Sequence, residues 1–452
     1  MSFRSTVKKF IPTKAFKTVE PLGHLGEAIF FNTINGFPAR NLKVIGVTGT
    51  NGKTSTAFII HRMLHEAGYK VGLMTTVAYG VGEDIKPQVA HMTSVGVPEL
   101  MKRIKEMKGQ GMEWLVLETT SHALAQHRVW GVPYSVAVIT NLTHEHLDYH
   151  GTFERYRDAK RMMFQMCNRN KKGLQTGIVN ADDNSAAYFT GDIDNPVTYG
   201  MDSGDLKATK VELSPSGSQY LAQIGDDSYN IHCKLPGSFN VYNSLAAVGV
   251  GRAVGLTKEQ IEKGIAALES VEGRMARINE GQDFDVIVDY AHTPDSFEKL
   301  FKDLKPVVKG KLIVMFGSAG RRDEGKRTTQ GSLAGEYADE IIITEEDDRD
   351  MDGQAIMEQI ATAAEKAGKK RDLDLFLVHD RTEAIKATMA RAKAGDTVLL
   401  LGKGHEKDIL RNGPRAAELR HLQQDDHNPD RVVEFAWDEV GAAKRALKDL
   451  PN

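Results

Sequence analysis

The fold is decided by the stretch Gly46-Val-Thr-Gly49-Thr-Asn-Gly52-Lys53-Thr54, which connects a strand pattern to a helical one. Residues 42–47 form an apolar run typical of a buried strand, and apolar residues recur at helical spacing between residues 53 and 64. The glycines between these patterns allow backbone N–H groups to surround a polyphosphate, and the helix N-terminus adds partial positive charge. The stretch therefore predicts a nucleotide-binding loop, with Lys53 at the terminal phosphates and the Thr54 hydroxyl on Mg²⁺.

The spacing of the glycines differs from that of the usual phosphate-binding motif. Gly49 and Gly52 are closer together in sequence than the two glycines of that motif. An accidental glycine-rich turn is the alternative interpretation. The setting between a strand and a helix favours the phosphate-binding loop.

Length and composition indicate a multidomain protein that acts on small molecules. The chain has 452 residues, too many for one ordinary core, and its formal net charge of -3 gives no reason to expect nucleic acid as a partner. Cys167 and Cys233 are the two cysteines, which favours a reducing cytoplasm over a disulfide framework. No apolar run is long enough to span a bilayer. We therefore expect a cytoplasmic monomer with small-molecule substrates and no membrane span.

Short apolar segments alternate with helical patterns along most of the chain, as in proteins with parallel, doubly wound sheets. A polar, glycine-containing stretch interrupts the alternation over residues 200–225, and the pattern restarts near residue 272. We therefore expect an α/β protein with a short N-terminal segment (residues 1–40), a P-loop-type central domain with a mostly parallel sheet (residues 41–273) and a Rossmann-like α/β C-terminal domain (residues 274–452). The predicted strands are residues 42–47, 71–75, 114–118, 135–140, 177–180, 285–289, 311–316, 340–344, 373–378 and 397–401.

Polar residues follow two predicted strands of the central domain. Glu118 ends the strand at 114–118, where ligands bind in such sheets, so its carboxylate is placed to hold Mg²⁺. The polar segment 119–128 follows it and suits substrate binding. Lys160 lies further along in a helical pattern and by itself indicates only an exposed helix residue.

The segment 141–150 is rich in potential metal ligands. His144, His146 and Asp148 match part of the pattern of binuclear metallohydrolases, but Tyr149 stands where that pattern requires a histidine. This misfit and the upstream phosphate-binding loop disfavour a metallohydrolase. The remaining interpretation is that one histidine of the segment is a Mg²⁺ ligand.

Taken together and in order, these segments resemble the Mur ligase family, the ATP-dependent amino-acid ligases of cell-wall precursor synthesis. The resemblance extends from about residue 42 to residue 437 and includes the loop GVTGTNGKT, whose short glycine spacing the family shares. Further similar motifs are SHALAQHRV, NLTHEHLDYHGT, LPGSFNVYNSLAA, DYAHTPDS and GKGHE. The resemblance implies that a substrate carboxylate takes the γ-phosphate of ATP to form an acyl phosphate, which the amine of an incoming amino acid then attacks.

The resemblance also implies roles for individual residues. Lys160 occupies the position of a carbamylated lysine, whose carbamate is an anionic Mg²⁺ ligand where an ammonium cannot be one. The implied catalytic and metal-binding residues are Lys53, Thr54, Glu118, His146 and Lys160. The implied nucleotide-binding residues are Gly49, Thr50, Asn51, Gly52, Lys53, Thr54, Ser55, Asn243, Arg274 and Asp289. Thr93, Ser94, Thr120, Gln126 and Arg128 are expected at the muramoyl peptide, and Asp347, Arg349, Gly402 and Glu406 at the incoming amino acid.

Some features depart from the family pattern. Only 45 residues precede Gly46, which implies that the small domain holding the UDP group is shortened or that the substrate lacks the nucleotide. The sequence Thr93-Ser94 replaces a Thr-Thr pair, and Thr120 replaces a serine. The motif Asp-Asn-Pro-Arg, which selects diaminopimelate, is here Glu346-Asp347-Asp348-Arg349, so diaminopimelate is favoured while lysine or another diamine stays open.

Two other functions stay open at this point. A folylpolyglutamate synthase or another amide ligase of the superfamily would share the fold and act on a substrate without UDP. An inactive ATP-binding subunit would have lost catalytic side chains, yet Lys53, Glu118, His146 and Lys160 are all present.

Overall fold

The computed structural model describes residues 13–88, 94–214, 216–320, 324–349, 351–411 and 433–450, and only the backbone of residues 13–22 and 147–148. These residues form two compact units. The first comprises the chain up to Glu212 together with Gln219–Cys233 and Phe239–Leu268, and the second comprises Leu213–Ser218, Lys234–Ser238 and the chain from Glu269 onward. No helix of the described part is long and apolar enough to cross a membrane.

The described chain up to residue 268 alternates strands with helices. The strands are β1 (Lys43–Thr48), β2 (Val71–Met74), β3 (Ala78–Val81), β4 (Asp84–Pro87), β5 (Trp114–Glu118), β6 (Tyr134–Ile139), β7 (Thr176–Asn180), β8 (Asn195–Gly200), β9 (Leu206–Ser214), β10 (Gly217–Ile224) and β11 (Asp227–Cys233). The helices are α1 (Thr13–Ile34), α2 (Lys53–Glu66), α3 (Val97–Gly109), α4 (Ser121–Ala125), α5 (Leu147–His150), α6 (Phe153–Arg169), α7 (Ala186–Thr190), α8 (Ser238–Val254) and α9 (Lys258–Ala266).

These strands form one sheet in the order β11-β10-β9-β8-β7-β6-β1-β5-β2-β3-β4. β1 lies near the middle and pairs in parallel with β5 and β6, while β2 pairs in parallel with β5. β3 and β4 form an antiparallel edge beside β2. Because β1, β2, β5 and β6 are parallel, their carboxyl ends meet at one edge of the sheet, and the candidate site lies there.

Helix α6 owes its position to an apolar face. Tyr156, Met163, Phe164 and Cys167 recur at helical spacing and are buried against the sheet. Lys160 falls on the same face and is only 1% exposed, so this lysine points into the protein.

The second unit contains a six-stranded sheet. The strands of this sheet are β12 (Ala276–Ile278), β13 (Asp285–Asp289), β14 (Leu312–Phe316), β15 (Glu340–Ile343), β16 (Leu375–Leu377) and β17 (Thr397–Leu401). A separate two-stranded sheet consists of β18 (Asp408–Arg411) and β19 (Val433–Ala436). The helices are α10 (Pro294–Leu304), α11 (Gly325–Tyr337), α12 (Gly353–Lys366), α13 (Arg381–Arg391) and α14 (Glu439–Lys448). The sheet order is β12-β13-β17-β14-β15-β16, antiparallel only between β12 and β13, and β18 pairs with β19.

The predicted fold class is confirmed: the first sheet is mostly parallel, and the second belongs to a separate α/β unit. The predicted strand at residues 373–378 is shorter in the structure, where it spans Leu375–Leu377. The N–H of Leu375 donates to the carbonyl of Lys370, and Leu373 is 64% exposed, so the preceding residues form a turn. The N-terminal segment of the described chain is the single helix α1.

Candidate active site

The loop between β1 and α2 has the geometry of a phosphate-binding site. Gly49 and Gly52 adopt φ values of 146° and 82°, which favour glycine, and a Cβ at Gly52 would collide with the Asn243 side chain. No side chain caps the N-terminus of α2, so its first N–H groups are oriented toward the loop as in anion-binding helix termini.

The loop is held in place by the residues that follow β6. The N–H of Thr50 donates to the carbonyl of Asn141 at 2.8 Å, and the N–H of Asn51 donates to Asn141 Oδ1 at 2.9 Å. The Thr140 hydroxyl donates to the carbonyl of Asn51 at 2.6 Å. These bonds fix the loop backbone independently of the lysine side chains around it.

The Nζ atoms of two lysines converge on the carbonyl of Gly49. Lys53 Nζ donates to this oxygen at 3.1 Å and to the carbonyl of Thr50 at 2.7 Å, while Lys160 Nζ donates to the Gly49 carbonyl at 2.7 Å. Burial lowers the pKa of Lys160 well below its usual value, and the charge of Lys53 lowers it further. A neutral amine is the form that can react with CO₂, so this environment suits the carbamylation that the resemblance implies.

A hydroxyl and a carboxylate lie together beside the loop. Thr54 Oγ1 donates to Glu118 Oε2 at 2.9 Å, and Glu118 is 2% exposed at the end of β5. The backbone N–H and the hydroxyl of Thr76 each donate to Glu118 at 3.0 Å, which orients the carboxylate. Hydroxyl and carboxylate oxygens are hard ligands, so this donor set and the cradle of Gly49 and Gly52 fit Mg²⁺ and a polyphosphate.

The Tyr156 ring lies close to both the predicted metal ligand His146 and Lys160. The His146 ring centroid lies 6.0 Å from that of Tyr156, and Lys160 Nζ lies 4.6 Å from the same Tyr156 centroid. The Tyr156 hydroxyl is 3.0 Å from Thr50 Oγ1 in the loop. In contrast, the His144 ring stacks on Phe153, so the two histidines of the rejected hydrolase pattern pack against different rings.

Asn243 lies directly behind the phosphate-binding loop. It is 3% exposed on α8, its Oδ1 accepts from the Thr56 hydroxyl at 3.1 Å, and its Nδ2 donates to Asn240 at 2.8 Å. Ser55, the last residue of the predicted nucleotide-binding stretch, is buried in the first turn of α2.

The predicted muramoyl-peptide residues form one hydrogen-bonded group. Ser94 Oγ lies 3.1 Å from Thr120 Oγ1, and Arg128 donates to the carbonyl of Ser94 at 2.8 Å. Arg128 Nε also donates to Gln126 Oε1 at 2.7 Å, and Thr120 caps α4. Thr93 lies outside the described residues.

In the second unit, Arg274 and Asp289 lie around Tyr290. The Arg274 guanidinium carbon lies 4.4 Å from the Tyr290 ring centroid, and the two carboxylate oxygens of Asp289 accept from the N–H groups of Met275 and Ala291, both at 2.7 Å. Burial raises the pKa of Asp289, and Arg274 opposes this shift. The bonds to Asp289 connect the chain after Arg274 to the end of β13.

The residues predicted to bind the amino acid lie where β15 and β17 end. Asp347 Oδ1 accepts from Lys403 Nζ at 2.8 Å, and Glu406 Oε2 accepts from the same ammonium at 2.6 Å. Gly402 has a φ of 102°, and the Arg349 N–H donates to the carbonyl of Leu410 at 3.0 Å. The structure thus brings Asp347 and Glu406 together through a lysine.

Glu345, Asp348 and His379 form a separate polar group in this region. His379 Nε2 lies 3.2 Å from Asp348 Oδ2, and Arg411 forms a double hydrogen bond with Glu345. Because Arg411 already supplies a cation to this group, we interpret the group as an ion-pair network that stiffens the loop after β15.

Several contributors were not among the predicted site residues. Asn141 and Lys403 stand inside motifs that the sequence analysis quoted, and Tyr156 lies one helical turn before Lys160. Thr76 follows strand β2, so the rule that ligand-binding residues follow parallel strands would have found it.

A glycine-rich loop at an uncapped helix N-terminus, beside a hydroxyl, a carboxylate and a buried lysine, is typical of nucleoside-triphosphate-binding enzymes. Residues 47–251 match the family model described as Mur ligase middle domain, and residues 273–404 match that of the Mur ligase, glutamate ligase domain. These matches span most of the chain, which therefore belongs to the Mur ligase family. The protein is accordingly an ATP-dependent amino-acid ligase.

Individual relatives agree with this assignment. UDP-N-acetylmuramyl-tripeptide synthetase of Roseiflexus sp. (strain RS-1) is 37% identical over 427 residues, which cover 92% of this chain and 80% of that protein. UDP-N-acetylmuramoyl-L-alanyl-D-glutamate--2,6-diaminopimelate ligase of Geobacillus kaustophilus (strain HTA426) is 40% identical over 384 residues, covering 84% and 77%. A solved structure of a UDP-N-acetylmuramoyl-L-alanyl-D-glutamate--2,6-diaminopimelate ligase is also similar, with a TM-score of 0.65 and 27% identity. The match covers 95% of this chain and 82% of that chain. These relatives support a ligase of peptidoglycan synthesis over a folylpolyglutamate synthase.

Proposed function

We propose that the protein joins an amino acid to the peptide carboxylate of a UDP-N-acetylmuramoyl peptide, with Mg²⁺ and ATP. The observation that carries the proposal is the convergence of Lys53 and Lys160 on the Gly49 carbonyl beside the Thr54–Glu118 pair. This arrangement places the Lys53 ammonium, hard oxygen ligands and an amine suited to carbamylation at the loop where a terminal phosphate would bind. The relatives named above carry out this type of reaction according to their names.

Different groups of residues bind the phosphates, the metal ion and the muramoyl peptide in the proposed reaction. Lys53 and the N-terminus of α2 neutralise charge on the transferring phosphoryl group, because phosphoryl transfer depends mainly on positioning and electrostatic stabilisation. Thr54, Glu118, His146 and a carbamate on Lys160 would hold Mg²⁺, which supplies further positive charge. The group of Ser94, Thr120, Gln126 and Arg128 offers hydroxyl, amide and guanidinium groups to the muramoyl peptide.

In the first step, an oxygen of the peptide carboxylate attacks the γ-phosphorus of ATP, and ADP leaves with the electrons of the broken P–O bond. In the second step, the free amine of the amino acid attacks the acyl carbon, loses a proton, and inorganic phosphate leaves. The net reaction forms one amide bond and consumes one ATP.

We further propose that the protein acts as a single chain in the cytoplasm. Neither Cys167 nor Cys233 forms a disulfide, and both are buried, as expected in a reducing compartment. The proposed phosphate and metal-binding residues come from one chain, so no partner subunit is needed to complete that part of the site.

The test is phosphate release from ATP by the full chain with UDP-N-acetylmuramoyl-L-alanyl-D-glutamate and single amino acids. We expect release that requires both the peptide acceptor and a diamino acid, with formation of the corresponding tripeptide. Release without an acceptor, or no release with diaminopimelate, lysine or ornithine, would contradict the proposed function. The alternative function, that of a folylpolyglutamate synthase, is tested with folyl monoglutamate as the acceptor and glutamate as the added amino acid.

A further inference from the structure

Exposed apolar side chains cluster at the end of the N-terminal helix α1. Eight large hydrophobic side chains are exposed in the described part of the chain, and four of them lie between residues 29 and 37. They are Ile29 (42% exposed), Phe30 (58%), Ile34 (58%) and Phe37 (38%), and we call them the apolar patch. Single exposed apolar residues are common on protein surfaces, whereas a cluster of this kind indicates an interaction surface.

The opposite face of α1 is fixed to the first unit. His24, Ala28 and Asn32 recur every four residues, so they share one face of the helix, and all three are buried. Asn32 Nδ2 donates to the carbonyl of Ala28 at 2.9 Å and to the carbonyl of Trp130 at 3.1 Å. Because this face is anchored, the apolar patch is held on the outer side of α1.

A turn after α1 keeps Phe37 beside the end of the helix. The N–H of Phe37 donates to the carbonyl of Asn32 at 2.8 Å, and the N–H of Gly36 donates to the carbonyl of Thr33 at 3.1 Å. Phe37 has a φ of 53°, a conformation that is uncommon for a bulky residue. The turn thus places an exposed aromatic ring next to Ile34 in spite of a conformational cost.

The charges around the apolar patch are mainly positive. Lys108 Nζ donates to the carbonyl of Pro38 at 3.1 Å, and Arg40 is exposed two residues further on. Glu106, an acid on the neighbouring helix α3, lies 3.9 Å from Lys102. Residues 1–40 contain six basic and two acidic residues, in a chain whose net charge is -3. The basic residues that precede the first acid are Arg4, Lys8, Lys9, Lys14 and Lys17.

The combination of apolar and basic groups favours one occupant of this surface. A second copy of the chain in a two-fold contact would bring each of these cations close to its own counterpart, which is unfavourable. An anionic phospholipid surface offers acyl chains to the apolar side chains and phosphates to the cations. Helices that lie in the membrane interface have this composition of aromatic, aliphatic and basic residues.

We propose that α1, through the apolar patch and the basic residues around it, binds the surface of an anionic phospholipid membrane. Ile29, Phe30 and Ile34 enter the boundary between headgroups and acyl chains, and Arg40 and Lys108 stay at the level of the phosphates. The helix lies in the plane of the membrane. This binding involves none of the residues assigned to ATP, Mg²⁺ or the substrates, and it does not depend on the proposed function.

The test measures how the full chain partitions onto lipid vesicles in a flotation assay, without ATP or substrate. One set of vesicles contains phosphatidylcholine alone, and the other contains about one third phosphatidylglycerol. We expect at least about tenfold stronger binding to the anionic vesicles, because several basic residues contribute and each adds about fivefold near such a surface. Raising NaCl from about 0.1 M to about 0.5 M should weaken this binding at least about fivefold, since salt screens the attraction.

Two double variants separate the apolar and the electrostatic contributions. Phe30→Ser with Ile34→Ser changes two side chains that are more than half exposed, and it should weaken binding to anionic vesicles about 10- to 100-fold. Lys8→Gln with Lys9→Gln should weaken it about 5- to 25-fold. The control is Leu373→Ser, which removes a 64% exposed apolar side chain of the second unit and should bind like the wild type.

Equal binding to both kinds of vesicle, or wild-type binding by the variant Phe30→Ser with Ile34→Ser, would overturn the proposal. So would a dimer that forms without vesicles and is lost in this variant, because a second copy would then cover the apolar patch. If circular dichroism shows that this variant unfolds at a lower temperature than the wild type, Lys8→Gln with Lys9→Gln decides, and it must show the loss. Because no substrate is present, failure of the ligase reaction would leave these results unchanged.

Discussion

The variant Lys53→Ala is expected to lose about 10³-fold in kcat for phosphate release, with KM for the muramoyl peptide little changed. Lys53 Nζ contacts two carbonyls of the phosphate-binding loop, so its ammonium lies within reach of a phosphate bound there. Its charge is needed most when the γ-phosphoryl group is transferred, and removing a group that acts in the transition state lowers kcat. Steady-state kinetics at saturating ATP measures this loss.

The loop should keep its conformation in this variant, because its backbone is held by Thr140 and Asn141. Lys86→Ala is the control: Lys86 lies on the edge strand β4 with its side chain 60% exposed, and this variant should keep wild-type activity. Lys53→Ala with more than a tenth of wild-type kcat would show that Lys53 does not serve the transferring phosphate.

The variant Lys160→Ala is expected to lose about 10²- to 10³-fold in kcat, because it would remove the proposed carbamate ligand of Mg²⁺. Carbamylation forms an N–C bond between the neutral amine and CO₂ and releases a proton. A lysine with an ordinary pKa of about 10.4 is neutral in roughly one molecule in a few thousand at pH 7. Burial and the charge of Lys53 both lower the pKa of Lys160, so we expect a larger fraction of this amine to be neutral.

The modification can be observed directly by NMR of the enzyme in ¹³C-labelled bicarbonate. A carbamate signal is expected in the wild type but not in Lys160→Ala. The control is Lys171→Ala, which changes a 73% exposed lysine just after the end of α6 and should keep the signal. Wild-type activity should fall in CO₂-depleted buffer and return with bicarbonate. An active Mg·ATP complex whose mass shows an unmodified Lys160 would contradict the carbamate.

Local patterns were sufficient to predict the strand, loop and helix around Gly52. The predicted strand and helix, at residues 42–47 and 53–64, lie within one or two residues of β1 and α2, because one apolar run and one amphipathic pattern determine them. The position of Glu118 also followed from the sequence, since β5 pairs in parallel with β1 and their carboxyl ends meet.

Contacts between distant segments could not be predicted in this way. The rule on strand ends places Thr76 at the site, but its bonds to Glu118 depend on the pairing of β2 with β5. Asn141 reaches the loop because β6 lies on the other side of β1. The resemblance assigned Lys160 a role. Its burial could be predicted only by recognising that Tyr156, Met163 and Phe164 form the buried face of α6.

Contacts of the loop after β15 also depend on distant residues. Lys403, after β17, donates to both Asp347 and Glu406. No local pattern around the sequence Glu346-Asp347-Asp348-Arg349 shows which of its acids is paired with an internal ammonium.

The central claim is that the protein activates a peptide carboxylate as an acyl phosphate and then forms an amide. The most direct measurement uses a UDP-muramoyl dipeptide whose terminal carboxylate carries ¹⁸O at both oxygens, with ATP, Mg²⁺ and a diamino acid. The inorganic phosphate released should contain one ¹⁸O per amide bond formed, because the carboxylate oxygen that attacks the γ-phosphorus leaves with the phosphate. Amide product accompanied by phosphate without ¹⁸O would contradict this account.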